Sequence, residues 1–422
     1  GPGPGHGPGY CSGHGPGQAP CSRRRPPPSG PDYPEVAIAS LKSEYEDLKA
    51  EATQEPAATA RPPKVSTGNR FALHVDSEAY PVLREMLRAA SKSIAFETFS
   101  FWSDKTALDI AALMADRHDA GVKVRVLVDG YKVKDDSKVV AYLRGRGVPV
   151  RRYNPKVVYK LGFNITHRKI YAIDGVRAMT GGMNIGGGYE CCTHDYLITV
   201  EGPAARDLTA EFESDWNASG TPEQVLDSQP SATPTADPLG GRATVVVTSR
   251  READRAQEIR RAVSNLIAEA TREISLGYPY FSDDRLIGEL KGAIKRGVRV
   301  KLVLPAETDE KLMKILNPRS ANQVWKAGGE VRFFDARFSH AKYFFVDGKK
   351  ALLGSSNGDA ITFKYNQEAG LVVEDPAFVA EAYNRLAAAD WATSRAPRHD
   401  DLDLPWYKIP YGWLLEAFDF AF

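Results

Sequence analysis

The segment AGVKVRVLVDG at residues 120–130 returns in recognisably the same form as RGVRVKLVLPA at 296–306. The pattern around it returns as well. Apolar spacing predicts a helix over 79–91, a strand over 93–101, a helix over 106–120, a strand over 122–128, a helix over 139–145 and a strand over 148–153. Beyond the polar stretch 217–241 it predicts a helix over 256–270, a strand over 273–281, a helix over 285–296 and a strand over 298–304. A repeat of this length is a duplicated lobe rather than a short-period solenoid. Helices and strands alternating through short connections predict an α/β chain of two duplicated α/β/α sandwich lobes with mixed, largely parallel sheets. The lobes are expected over 69–218 and 243–395, with a linker over 219–242. Residues 1–34 hold 10 of the 28 prolines and 9 of the 36 glycines, leaving too few apolar side chains to offset the entropy of ordering. Residues 1–68 therefore read as a disordered Gly/Pro-rich segment and linker, with a short helix over 35–55, and 396–422 as an aromatic tail.

Chemistry is then sought at matching positions. One copy carries His167-Arg-Lys169, Asp174 and Gly181-Gly182-Met183-Asn184; the other carries His340-Ala-Lys342, Asp347 and Gly354-Ser355-Ser356-Asn357, with 173 residues between equivalents. A carboxylate keeps the same register: Asp195 lies 28 residues after His167 and Glu368 lies 28 after His340. In the alternating stretch HRKIYAID, His167 and Lys169 are two apart and share one face of the predicted strand, as do His340 and Lys342.

Joining the lobes about a pseudo-twofold gathers two imidazoles, two ammonium groups and two amides at one interface. Such a pocket suits a phosphoryl group, because fixed positive charge stabilises a pentacoordinate transition state. One His can attack phosphorus while the other protonates the leaving oxygen and later activates the acceptor. Asp195 and Glu368 would orient the rings through the nitrogen that does not react. Asp174 and Asp347 are grouped with the catalytic set, although each precedes Gly at a strand end, where a turn or a support for the nearby Lys is expected. Gly181, Gly182 and Gly354 let backbones approach closely.

Composition narrows the classes. With 55 Lys plus Arg against 54 Asp plus Glu, the formal charge of +1 excludes a histone-like polycation and a polyacidic chain. No apolar run reaches the length of about 18 residues that a membrane helix needs, so a chain that does not span a bilayer is expected. The four cysteines include adjacent Cys191 and Cys192, with no zinc-like spacing, and read as free thiols. There is no HExxH, no Walker A motif and no clustered carboxylate cage, so no metal and no cofactor are expected.

These motifs resemble the phospholipase D superfamily, whose signature is His-x-Lys-x4-Asp-x6-Gly-(Gly/Ser/Thr)-x-Asn. Both copies match it, and the resemblance covers roughly 71–394. The first copy, HRKIYAIDGVRAMTGGMNIGGGYE followed by HDYLITVEGPAARDLTAEFESDW, is most similar to the bacterial cardiolipin synthase branch, and YPYFSDD at 278–284 resembles its substrate-channel segment. One departure is the absence of the N-terminal membrane helices usual in that branch. The resemblance implies phosphatidyl transfer through a phosphohistidine, with His167 as nucleophile and His340 as general acid and then base. It also implies that Lys169, Lys342, Asn184, Asn357 and Ser355 bind phosphate. The acceptor would be a second phosphatidylglycerol in a synthase and water in a phospholipase D hydrolase. A nuclease-like phosphodiesterase of the same superfamily is the alternative.

Two features bear on partners. Between Ser137 and Ile173 stand nine basic residues, Lys138, Arg144, Arg146, Arg151, Arg152, Lys156, Lys160, Arg168 and Lys169, and no acidic one. They read as a solvated face or as a basic approach to the catalytic mouth, suited to an anionic phospholipid surface or to nucleic-acid phosphates. The segment 405–422 carries seven aromatic residues, which either pack across the domain or rest in lipid headgroups. The expected partners are an anionic, phosphatidylglycerol-like phospholipid and a peripheral membrane surface, with nucleic acid the less favoured substrate.

Overall fold

The computed structural model describes residues 61–154, 164–220, 232–250, 256–310 and 313–402. The helix over 35–55, residues 221–231 of the linker between the lobes, Lys156, Lys160 and the aromatic segment 405–422 lie outside these residues.

The first lobe runs β1 (Lys64–Val75), α1 (Ala79–Ala89), β2 (Ser93–Thr98), α2 (Lys105–Asp119), β3 (Lys123–Asp129), α3 (Lys138–Gly145), β4 (Val150–Tyr153), β5 (Ile170–Ile173), β6 (Arg177–Gly181), α4 (Gly187–Cys191), β7 (Tyr196–Glu201) and α5 (Pro203–Ala218). The second runs β8 (Gly241–Ser249), β9 (Ala256–Gln257), α6 (Glu258–Glu269), β10 (Glu273–Gly277), α7 (Asp284–Lys295), β11 (Arg299–Pro305), α8 (Met313–Lys326), β12 (Glu330–Phe334), β13 (Tyr343–Val346), β14 (Lys350–Gly354), α9 (Ala360–Lys364), β15 (Glu368–Glu374), α10 (Pro376–Tyr383) and α11 (Ala389–Thr393). Helix starts follow local chemistry. Asp104 caps α2 by accepting from Ala107 N at 2.9 Å, and Asp283 caps α7 by accepting from Leu286 N at 2.6 Å.

Strand order is the same in both lobes: β1-β7-β6-β5-β2-β3-β4 and β8-β15-β14-β13-β10-β11-β12. Antiparallel pairing of β1 with β8 fuses the two halves into one continuous sheet. The sheets are mixed, as expected, but not largely parallel. Parallel pairing is confined to β2-β3-β4 and β10-β11-β12, and the other pairs are antiparallel. The reason is local: Asp174-Gly175 and Asp347-Gly348, with φ of 54°, 69°, 54° and 67°, turn β5 into β6 and β13 into β14 as tight hairpins, which can only be antiparallel. Strand β1 also begins at Lys64, inside the stretch read as linker.

Alternation along the strands sorts the core into layers. Ala95, Leu127, Ile170 and Ala172 face a layer shared by both lobes under α5 and α10, together with Val245, Val247, Tyr343 and Phe345. Their neighbours Ile94, Phe96, Val126, Tyr171 and Ile173 face the outer helices α1 to α3. Apolar burial on the shared layer therefore holds the lobes together as well as each lobe within itself. The structure also corrects the reading of free thiols: Cys191 and Cys192, at the end of α4, are joined in a disulfide.

Candidate active site

The motif histidines sit in extended segments just before β5 and β13, not within those strands as the alternation suggested. Each segment pairs with the other lobe. Thr166 forms a parallel bridge with Gln367, and Ser339 forms the equivalent bridge with His194. His167 N donates to Gln367 O and His340 N donates to His194 O, both at 2.8 Å. The residue following each bridge partner is a carboxylate, so backbone register delivers Glu368 to His167 and Asp195 to His340. The couples are thus crossed between lobes.

His167 Nδ1 lies 3.2 Å from Glu368 Oε2 and 3.2 Å from the carbonyl of Ser355. A carbonyl only accepts, so Nδ1 carries the proton and Nε2 keeps its lone pair. His340 Nδ1 lies 2.8 Å from Asp195 Oδ2, which assigns the same tautomer. The ring centroids are 6.5 Å apart at 71°. Lys342 Nζ sits 2.9 and 3.0 Å from Nδ1 and Nε2 of His340 and 2.6 Å from its carbonyl, whereas Lys169 Nζ turns to the His167 carbonyl at 2.8 Å.

All six side chains are buried, and burial dominates their titration. It holds both imidazoles well below the ordinary His range, with Lys169 and Lys342 pushing the same way. Burial lowers Lys169 to about 7 and Lys342 to about 8, and raises Asp195 to about 7 and Glu368 to about 8. With lysines and carboxylates titrating in the same range, their charges sum to about zero around two neutral rings. An entering phosphodiester anion upsets that balance by one negative charge, which a proton on a ring restores.

Residues 83–216 and 263–391 both match the family model described as cardiolipin synthase, PLD-like domain. The chain belongs to this phospholipase D-like family. It is 28% identical over 338 residues to cardiolipin synthase B of Shigella flexneri, covering 76% of this chain and 81% of that one. It is 30% identical over 324 residues to cardiolipin synthase B of Salmonella typhi, covering 74% and 78%. Its fold is similar to the crystal structure of phosphatidylserine synthase from Haemophilus influenzae, with a TM-score of 0.64 at 13% identity over 90% of this chain and 97% of that one.

Within this phospholipase D-like frame the remaining motif residues divide. Asn184 is buried beside the site, its Oδ1 accepting from Ser100 N at 3.2 Å and its Nδ2 donating to Tyr189 OH at 3.0 Å. Asn357 is buried in the equivalent position, and its Oδ1 has no partner among the described residues. Ser355 directs its hydroxyl to Glu368 and so supports that carboxylate rather than reaching for phosphate. Gly182 stands where Ser355 stands in the other lobe. A Cβ there would come within 2.9 Å of Asp195 Oδ2 and closer still to Oδ1.

Asp174 and Asp347 do not join the catalytic cluster. They lie at the far ends of β5 and β13, five residues and roughly 16 Å along the strand from the motif lysines. Asp174 accepts from the backbone N of Ser91, Lys92 and Ser93 at 3.1, 2.7 and 2.8 Å, and Asp347 accepts from Thr271, Arg272 and Glu273 at 2.9, 2.8 and 2.8 Å. Both anchor the turn that launches a central strand.

Aromatic rings wall the site. Phe99 meets His167 edge-on at 4.9 Å, and Tyr189 and Tyr280 meet His340 at 5.6 and 6.5 Å. Tyr280 belongs to the YPYFSDD segment singled out by resemblance. Phe99 and Tyr189 carried no signal, because an aromatic in an apolar run reads equally as core. The basic run, in turn, is largely engaged. Arg144 pairs with Asp135 at 2.8 Å, Arg146 with Asp116 and Asp119, and Arg168 with Asp215 at 2.8 Å; Arg151 donates to the Trp216 carbonyl at 2.7 Å, and Arg152 to those of Gly130 and Val133. The acidic partners lie outside 137–173 in sequence, so a count within that window misses them.

Proposed function

We propose that this protein is a phosphatidyltransferase of cardiolipin synthase type, acting on an anionic phospholipid of the phosphatidylglycerol class. The observation that carries the reading is the pair of crossed His–carboxylate couples, with rings 6.5 Å apart and lysines beside both. That spacing suits one phosphorus between two ring nitrogens.

His340 takes up a proton on Nε2 as the diester anion binds; His167 Nε2 then attacks phosphorus, the P–N bond forms as the bond to the leaving glycerol oxygen breaks, and His340 Nε2–H gives that oxygen its proton. A hydroxyl of a second phosphatidylglycerol then passes its proton to the neutral His340 and attacks phosphorus, breaking the P–N bond. With water as acceptor the product is phosphatidic acid. The roles come from the family resemblance, and the geometry adds only that Lys169 turns away and leaves the His167 ring free to attack, whereas Lys342 lies 2.9 and 3.0 Å from the two ring nitrogens of His340. Lys169, Lys342, Asn184 and Asn357 hold the phosphoryl oxygens. The catalytic unit comprises the lobes read over 69–218 and 243–395, with their first strands β1 and β8 starting slightly earlier, at Lys64 and Gly241. Peripheral membrane association is part of this reading because the substrate is a lipid; among the described residues no helix is long and apolar enough to cross a bilayer.

Incubation with vesicles of radiolabelled phosphatidylglycerol tests the reading. Cardiolipin and free glycerol are expected, with a trapped phosphoenzyme lost in His167→Ala and kept in His340→Asn. Phosphatidic acid alone would make the protein a hydrolase. Cleavage of single-stranded DNA without any lipid product would overturn the lipid assignment.

A further inference from the structure

His194 is 4% exposed and stacks on Phe334 at 5.0 Å. Its Nδ1 lies 2.9 Å from Asp76 Oδ1, before α1 in the first lobe, and its Nε2 lies 2.9 Å from Asp390 Oδ1 on α11 in the second. Nδ1 donates to Asp76, while Nε2 faces Asp390 as a charge contact whose geometry is not that of a hydrogen bond; a ring held between two carboxylates favours the imidazolium. The charged groups around it are few. Asp76 Oδ2 pairs with Arg337, Asp390 Oδ2 accepts from Tyr343 OH at 3.0 Å, and Asp195, His340 and Lys342 lie beyond on the catalytic side.

This clamp grips the His340 half of the site. Asp76 Oδ1 accepts from Asp195 N at 3.1 Å, Asp76 N donates to Asp195 O at 2.8 Å, and His194 O accepts from His340 N. The other half is built differently. The position equivalent to His194 is Gln367, and the cation there is Arg168, which pairs with Asp215 and donates through Nε to the carbonyl of Glu368 at 3.1 Å. The position equivalent to Arg168 is Ala341, too small to reach. Each half thus places one buried cation behind its ring-orienting carboxylate, permanent on the His167 side and titratable on the His340 side.

We propose that His194 is a positioning residue for the reaction, clamped as a cation between Asp76 and Asp390 so that it fixes the Asp195–His340 couple across the lobe interface. This rests on the phosphoryl-transfer reading of the same site. Burial alone would lower the His194 pKa, but Asp390 and Asp76 more than offset it and lift it to about 10.

The test uses aryl methyl phosphodiesters, whose leaving groups run from nitrophenol to phenol and which need no lipid. His194→Gln is expected to lower the rate of phosphoenzyme formation, read as kcat/KM, roughly tenfold or more for the phenyl ester and little for the nitrophenyl ester, which leaves without a proton. His194→Arg is expected to recover most of the loss. Equal losses on both esters, or no rescue by Arg, would overturn the proposal. Nitrogen-15 NMR of histidine-labelled wild-type protein, with the resonance assigned by its absence from His194→Gln, should find this ring doubly protonated at pH 8; a neutral ring would overturn the proposal whether or not the variants fold well. Wild-type protein that cleaves these diesters but not phosphatidylglycerol would count against the lipid reading alone, and the His194 comparison is read on the aryl esters in either case.

Discussion

His340 Nδ1 rests 2.8 Å from Asp195 Oδ2, although 145 residues and the lobe boundary separate them. The couple depends on a bare backbone at Gly182, where a side chain would strike the carboxylate. Gly182→Ala should therefore displace Asp195 and lower turnover roughly a hundredfold, while the burst that reports phosphoenzyme formation from an activated diester persists. Loss of burst and turnover in equal measure would place the damage elsewhere.

Crossing makes the two carboxylates separable by leaving group. Asp195→Asn weakens the proton donor, so an aryl diester with a nitrophenolate leaving group should recover most of the lost rate of phosphoenzyme formation, read as the burst. Glu368→Gln weakens the nucleophile's support, and that substrate should recover little. The opposite pattern would mean that His340 attacks and His167 donates.

Charge balance predicts a proton on binding. Burial and two lysines hold the His340 pKa far down in the free site, and a diester anion lodged between Lys169 and Lys342 offsets the lysines and raises it. Titration calorimetry with dimethyl phosphate at pH 7.5, in buffers of differing ionisation enthalpy, should find uptake of roughly one proton per site. Binding enthalpies that do not vary with buffer would refute the prediction.

Asp174 and Asp347 should matter for stability and not for chemistry. Asp174→Ala leaves three backbone N–H groups without their acceptor and puts Ala at a φ of 54°, at a cost of about 2–3 kcal/mol. Activity per folded molecule should be unchanged, as read by urea unfolding beside active-site titration. For Asp347, burial opposes ionisation, but bonds from Glu273, Thr271 and Arg272 depress its pKa to about 2. Its stabilisation is thus present above the ordinary Asp value near 3.8 and lost as pH falls through about 2. Asp347→Asn should flatten that part of the acid-unfolding curve.

Much of this was legible in the sequence. The repeat at a 173-residue offset identified His167, Lys169, Asn184, Asp195 and their partners His340, Lys342, Asn357 and Glu368, because duplication preserves spacing. Equivalence, however, says nothing about which carboxylate serves which ring. That is decided by the Thr166–Gln367 and Ser339–His194 bridges, a tertiary pairing with no signature of its own. Sheet direction was misjudged because helix–strand alternation before the motif suggested parallel crossovers, while the hairpins at Asp174 and Asp347 lie after it. His194 went unnoticed because its repeat partner is Gln367, and comparing the copies highlights only what they share.

A duplicated segment is ordinarily released from selection, since one copy can drift while the other keeps the activity. The crossed couples remove that freedom. His167 depends on Glu368 from the second copy, and His340 depends on Asp195 from the first. Damage to either half therefore disables the histidine of the other, and neither copy is spare. What the halves remain free to vary is whatever lies behind the couples, which is where Arg168 and His194 have parted ways.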